Sequence, residues 1–136
     1  MRVTLPDSVC VVGVGSNSPD RKARIDEALR WLARTFDPAI FSPVYSTPEW
    51  SRRFPAYLNA VAILGVAPYV DFDAVNASLK LYERRCGRVP SDKTSGIVPI
   101  DLDIVVWRGE VCREVEFTRP YFSQGYDLVV EKMKYS

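Results

Sequence analysis

Histidine is absent from the 136-residue chain. That excludes Ser-His and Cys-His nucleophilic machinery and any zinc site completed by imidazole. Cysteine is scarce: Cys10, Cys86 and Cys112 are odd in number and scattered, without metal-type spacing. Cys10 and Cys112 read as fillers of apolar positions, and Cys86 as the end of a helix. Net charge is also nearly absent, with 18 Lys and Arg against 17 acids. The balance gives no global attraction to nucleic acid or an anionic membrane, so any anion site must be local. No apolar run approaches the ~20 residues of a membrane span, and residues 1–7 lack the apolar segment of a signal peptide. A cytoplasmic protein with neither nucleic-acid nor membrane partner is expected. No linker, internal repeat or low-complexity tract divides the chain, so residues 1–136 are expected to form one domain.

What is present centres on the stretch from Ile100 to Trp107, which sets Asp101 and Asp103 inside a run that otherwise suits a sheet. Side chains alternate along a strand, so the two acids share one face, while Ile100, Leu102 and Ile104 point from the other into a core. Parallel carboxylates roughly 7 Å apart repel unless a cation lies between or above them. Magnesium suits such a pair, being a hard ion that takes one or two carboxylates together with substrate phosphates. A solvated strand face whose acids pair with Lys or Arg accounts for the same residues.

Along the chain, Val9 to Ser16 reads as a buried strand in which Gly13 and Gly15 clear one face, for backbone crowding or ligand approach. Ser18 as N-cap and Pro19 at the first helical position predict a helix to about Phe36. Ile40 to Thr47 alternates as an edge strand, since it contains Pro43. Residues 48–55 form a loop whose Trp50 and Phe54 suggest a lid or contact surface. Tyr57 to Val66 is a strand that points Tyr57 and Asn59 one way and Leu58 and Ala60 the other. Asp71 caps a second helix that ends at Gly87, and Glu83 falls near its last turn. A polar loop over 88–99 leads into the acidic strand. Val111 to Thr118 is expected to pair across an Arg108-Gly109 turn, and 127–133 to make one or two helical turns. The order is βαββαβ, an α+β ferredoxin-like antiparallel sheet with two helices on one face, plus a C-terminal strand or short helix. The open face then carries Asp101, Asp103, Tyr57 and Asn59.

Five segments resemble one family in the same order, the hydroxymethyl-dihydropterin pyrophosphokinases of folate synthesis. They are Val14-Gly15-Ser16-Asn17, Val44-Tyr45-Ser46-Thr47-Pro48, Tyr57-Leu58-Asn59-Ala60-Val61, Glu83 with Cys86-Gly87-Arg88, and Ile100-Asp101-Leu102-Asp103-Ile104. The resemblance implies Mg-dependent transfer of pyrophosphate from ATP to the hydroxymethyl group of a reduced pterin, with release of AMP. A monomer is expected. By position, Asp101 and Asp103 would hold two magnesium ions, and Arg88 would join them in catalysis. Asn59, with main-chain groups at Thr47 and Pro48, would read the pterin edge, while Tyr57 and Tyr126 would sandwich its ring. Glu83, Arg88, Lys93, Ile104 and Thr118 would contact ATP.

The chain departs from that family where phosphate is handled. Val98 stands where an arginine is usual, Tyr121-Phe122 replaces a His-Tyr, Gln124-Gly125 replaces a basic position, and the segment after Tyr126 is short. Lys93, Arg52 or Arg53 would have to supply the missing charge. A binding module that keeps the pterin pocket but transfers weakly or not at all is the alternative reading. An RNA-binding domain of the same topology fits poorly, given the neutral charge and acidic sheet face.

Overall fold

The computed structural model describes residues 1–89, 91 and 95–135. Its strands are β1 (Val9–Ser16), β2 (Ala39–Phe41), β3 (Tyr45–Thr47), β4 (Tyr57–Gly65), β5 (Asp101–Trp107) and β6 (Glu110–Val111). Its helices are α1 (Arg21–Thr35), α2 (Phe72–Arg85), α3 (Glu114–Thr118) and α4 (Pro120–Lys134). Among the described residues these strands make one six-stranded antiparallel sheet in the order β2-β4-β1-β5-β6, with β3 also paired to β4. This is the expected α+β arrangement. The apolar strand β1 runs down the middle, where both faces are covered.

One core lies between the sheet and α1 and α2. Val12, Val14, Ala60, Ala62, Leu64, Leu102 and Ile104 meet Ile25, Leu32, Val75 and Leu79 there. Because alternation puts these residues on the helix side, Gly13, Gly15, Tyr57, Asn59, Asp101 and Asp103 fall on the other. A bulge between Val11 and Val12 shifts the β1–β5 register. Beyond it Val105 and Val106 both join a second core, on the opposite face.

That second core corrects the expectation of a free face. The C-terminal segment is a fifteen-residue helix, not one or two turns. Its Phe122 and Val129 pack on Val61 and Ile63, covering half of the face and leaving the end that carries the acids open. Gly125 permits the approach: a Cβ there would lie 2.6 Å from Val61 and 2.7 Å from Tyr45. The glycine hides the helix from propensity while making its docking possible.

Three local readings also change. Pro43 splits the predicted edge strand into β2 and β3, and the Ser42 hydroxyl bridges the break by accepting from Val61 N at 2.9 Å. Helix α1 begins at Arg21 after Asp20, because the Ser18 hydroxyl is buried and donates to Asp20 Oδ1 at 2.7 Å instead of capping. The Arg108-Gly109 turn forms as expected, both residues having positive φ. Its returning strand is only two residues long, however, and Glu114 to Thr118 are helical. Among the described residues no helix is long and apolar enough to cross a membrane.

Candidate active site

The sheet register sets the floor of the site. Gly15 lies between Asn59 on β4 and Asp101 on β5, and Gly13 lies between Val61 and Asp103. A Cβ on Gly15 would project among Asn59 and Tyr57 at 3.5 and 3.6 Å, which is ordinary contact, so backbone crowding does not require this glycine. Both glycines line a cavity of about 1190 Å³ that extends over β1, β4 and β5 to the flank of α2, with Trp50 on one rim and Tyr121 on another.

At the β5 end three carboxylates converge. Glu83, Asp101 and Asp103 each place an oxygen within 4.8 Å of the other two. Glu83 is buried on α2 and held there because its Oε2 accepts from Leu102 N at 2.7 Å. Asp101 is pushed up to about 7, first by desolvation in the cleft and then by the charge of Asp103, against the pull of Arg88. Asp103 goes the other way. Burial raises it, but a hydrogen bond from Asp101 and the charge of Lys80 leave it below the usual carboxylate range. One carboxyl of the pair thus carries its charge readily while its neighbour resists ionisation.

The cations around this cluster come from three elements. At the end of α2, Gly87 takes φ +90° and Arg88 N reaches Glu83 O at 3.0 Å, reversing the chain. The reversal aims Arg88 Nη1 at Ile100 O and Asp101 Oδ1, both at 2.9 Å. Lys80, one turn before Glu83, donates to Glu83 Oε2 at 2.9 Å, Leu102 O at 2.8 Å and Asp103 Oδ1 at 3.0 Å. Burial lowers its pKa, but the Asp103 and Glu83 carboxylates more than reverse this. Arg113, preceding α3, lies 3.6 Å from Asp103, and its buried Nε finds no acceptor among the described residues.

The β4 end of the cavity is lined by Asn59, Tyr57 and Thr47. Asn59 is 3% exposed and its amide is fixed by donation to Thr47 Oγ1 at 2.8 Å. Tyr57 flanks it, its hydroxyl pushed up by burial and by Asp101. Behind them Asn17 joins two loops to the sheet: its Nδ2 donates to Gly96 O at 2.7 Å and Pro55 O at 3.4 Å, and its Oδ1 accepts from Val98 N at 2.6 Å.

A family model, 7,8-dihydro-6-hydroxymethylpterin-pyrophosphokinase, matches residues 11–130. The chain belongs to this pyrophosphokinase family. No curated protein sequence matches it.

Most positions singled out from the family resemblance meet in the one cavity. Thr47, Pro48, Tyr57, Asn59, Glu83, Arg88, Asp101, Asp103 and Ile104 all line it. Tyr126 does not. Its ring stacks on Phe122 and abuts Phe117 at 5.0 Å within the second core, because the long α4 turns it toward the sheet. Tyr121, five residues earlier and so on another side of the helix, lines the cavity instead, with its carbonyl held by the Tyr45 hydroxyl at 2.6 Å. Thr118 is exposed, bonds Val115 O at 2.9 Å and lies off the lining. Lys93 lies outside the described residues.

The pyrophosphokinase departures also have a structural account. Val98 is buried, and its main chain is bound to Asn17 and Ser16, so that position anchors a loop and does not face the cavity. Arg52 and Arg53 are not on the lining; Lys80, Arg84 and Arg113 are. For Lys80 the signal in the sequence was its i,i+3 spacing from Glu83. Arg113 had none, since only the two-residue hairpin before it brings it back to Asp103.

The carboxylate cluster suits magnesium. Its donors are hard oxygens, and octahedral magnesium needs ligand oxygens roughly 3 to 4 Å apart, within a small side-chain adjustment of the observed convergence.

Proposed function

We propose that this protein transfers the terminal pyrophosphate of ATP to the hydroxymethyl group of 7,8-dihydro-6-hydroxymethylpterin, with release of AMP. The observation that carries the reading is the row Asn59-Gly15-Asp101: a buried side-chain amide and an acidic cluster stand on either side of a glycine that lines the cavity floor. Family membership supplies the reaction class.

In this reading the pterin lies over Gly15. Its edge bonds Asn59, oriented by Thr47. Its ring stacks on Tyr57, with Tyr121 as the second aromatic wall. Both rings line the cavity. The hydroxymethyl group then points toward Asp101 and Asp103. Arg113, with an unmatched Nε, and Arg84 face the polyphosphate, as does Arg88 after yielding part of its hold on Asp101. Asp101, beside Asp103 in the acidic cluster, would hold magnesium, which when bound would neutralise polyphosphate charge and orient the β-phosphoryl group. The hydroxyl oxygen forms a bond to the β-phosphorus and releases its proton to solvent water. The bond from that phosphorus to the α–β bridging oxygen breaks, and AMP leaves with the oxygen. The protein's contribution is positioning and electrostatics, because its side chains form no covalent bond to the group in transit.

The cavity draws on residues from 13 to 122, which supports a single catalytic domain; we take that domain to span 1–136 and to act as a cytoplasmic monomer. Phosphorus NMR of protein, ATP, Mg²⁺ and the pterin tests the reading. Equal amounts of AMP and a pterin pyrophosphate are expected, each only when both substrates are present. Pterin binding without either product would instead favour a non-catalytic module.

A further inference from the structure

The Lys80 ammonium sits among the oxygens as a metal ion would. Its three N–H donors meet three acceptors, Leu102 O, Glu83 Oε2 and Asp103 Oδ1, all within 2.8–3.0 Å. Lysine is the side chain suited to this, a compact point charge on a flexible stem, whereas the guanidinium is a planar fork. The stem rises from α2 one turn before Glu83, so the ammonium is tethered to an element that already supplies a cluster ligand. The charge count agrees. Three carboxylates, Glu83, Asp101 and Asp103, face three cations, Lys80, Arg88 and Arg113. Each carboxylate of the cluster thus has a cation within reach before any ion or nucleotide enters. A divalent ion seated against both Glu83 and Asp103 would occupy the same space as Lys80 Nζ. Asp101 is the cluster member outside the lysine's reach, and its bonded cation is Arg88.

We propose that Lys80 is a tethered cation that takes the place of one divalent ion at this cluster, so that the nucleotide complex holds a single ion, on the Asp101 side. The proposal rests on the pyrophosphokinase reading and refines its metal requirement. Lys80 shields Asp103 and faces the polyphosphate, whereas the bound ion alone makes direct coordination bonds.

The test counts ions. Protein in excess over the non-cleavable α,β-methylene-ATP is titrated with Mn²⁺, and bound ions per nucleotide are read by electron paramagnetic resonance. Wild type should bind one Mn²⁺ with the spectrum of an isolated ion. Lys80→Gln should bind two with exchange coupling between them, and Lys80→Met, which keeps the apolar stem, should do the same if the glutamine variant folds poorly. Two coupled ions in wild type, or one in wild type and variants alike, overturn the proposal and leave pyrophosphate transfer standing. Absence of both nucleotide and Mn²⁺ binding in every form overturns the two readings together.

Discussion

Asn59 and Asp101 stand in one row across the sheet with only Gly15 between them. Two inter-strand spacings, roughly 10 Å, separate the Asn59 amide from the Asp101 carboxylate. The gap suits a flat molecule with a reactive arm, and the glycine leaves it free of side chains. Gly15→Ala meets neighbours only at ordinary contact distance, so its Tm should stay within a few degrees of wild type. On the proposed placement of the pterin over Gly15, its pterin affinity should fall at least tenfold, because the added methyl would stand in the space of the ring; calorimetry of pterin binding checks this. Gly125→Ala is the counterpart. Its Cβ would meet Val61 and Tyr45 at under 3 Å, and overpacking should cost about 1–3 kcal/mol in denaturant melts.

The two acids of β5 should respond to pH in opposite ways in metal-free protein. Asp101 has a folded pKa near 7, above its ordinary 3.8. Between those values the folded state holds a proton that the unfolded chain has released, so this group's contribution to stability falls as pH rises from about 4 through 7. Asp101→Asn removes that decline. At pH 8 in EDTA it should be more stable than wild type by about 1 kcal/mol, a figure reduced for partial solvent exposure, and the gain should vanish near pH 4. Asp103 is held low, so its stabilisation is present above its ordinary pKa and lost on acidification. Asp103→Asn should therefore be less stable than wild type at pH 8, with Lys80 and Arg113 left short of a partner. Thermal melts at the two pH values decide both.

Asn17 should be worth more than its size. Its buried amide bonds Gly96 O, Pro55 O and Val98 N, and Asn17→Ala leaves these groups without their partner. A loss of about 1–3 kcal/mol is expected. Faster proteolysis within 48–55 should accompany it, since both flanking loops lose a common anchor.

The second aromatic wall separates reading by position from reading by structure. Tyr121→Ala should weaken pterin binding by about 1–3 kcal/mol with little change in Tm. Tyr126→Ala should lower Tm by removing a ring stacked on Phe122, and leave the affinity of the folded protein unchanged. Fluorescence titration with the pterin, together with melts, tells the two apart.

What could be read from residues alone follows from range. Alternation over Ile100–Trp107 and Tyr57–Val66 assigned each side chain to a face, because a strand's period is local and a core on one side enforces it. Asp71 and Gly87 marked α2 by the same local logic. The long C-terminal helix stayed hidden, since Gly125 and Gln124 look like loop residues until Val61 and Tyr45 lie beneath them. Arg113 owes its place to a partner on β5 and is invisible as a site residue for the same reason, whereas Lys80 has only its i,i+3 spacing from Glu83 to mark it. Val98 looked like a missing phosphate contact because the sequence does not reveal that Asn17 holds that segment inward.

The central claim is that the carboxylate cluster at Asp101 and Asp103 directs pyrophosphate transfer to a pterin. It is tested most directly by AMP formation from ATP and Mg²⁺, with and without 6-hydroxymethyl-7,8-dihydropterin, in wild type and Asp101→Asn at protein concentrations high enough to register a slow rate. AMP that appears only with the pterin, and falls at least a hundredfold in an Asp101→Asn protein that still melts cooperatively, is the predicted result. Pterin-independent AMP, no AMP from wild type, or equal rates from both proteins would contradict it.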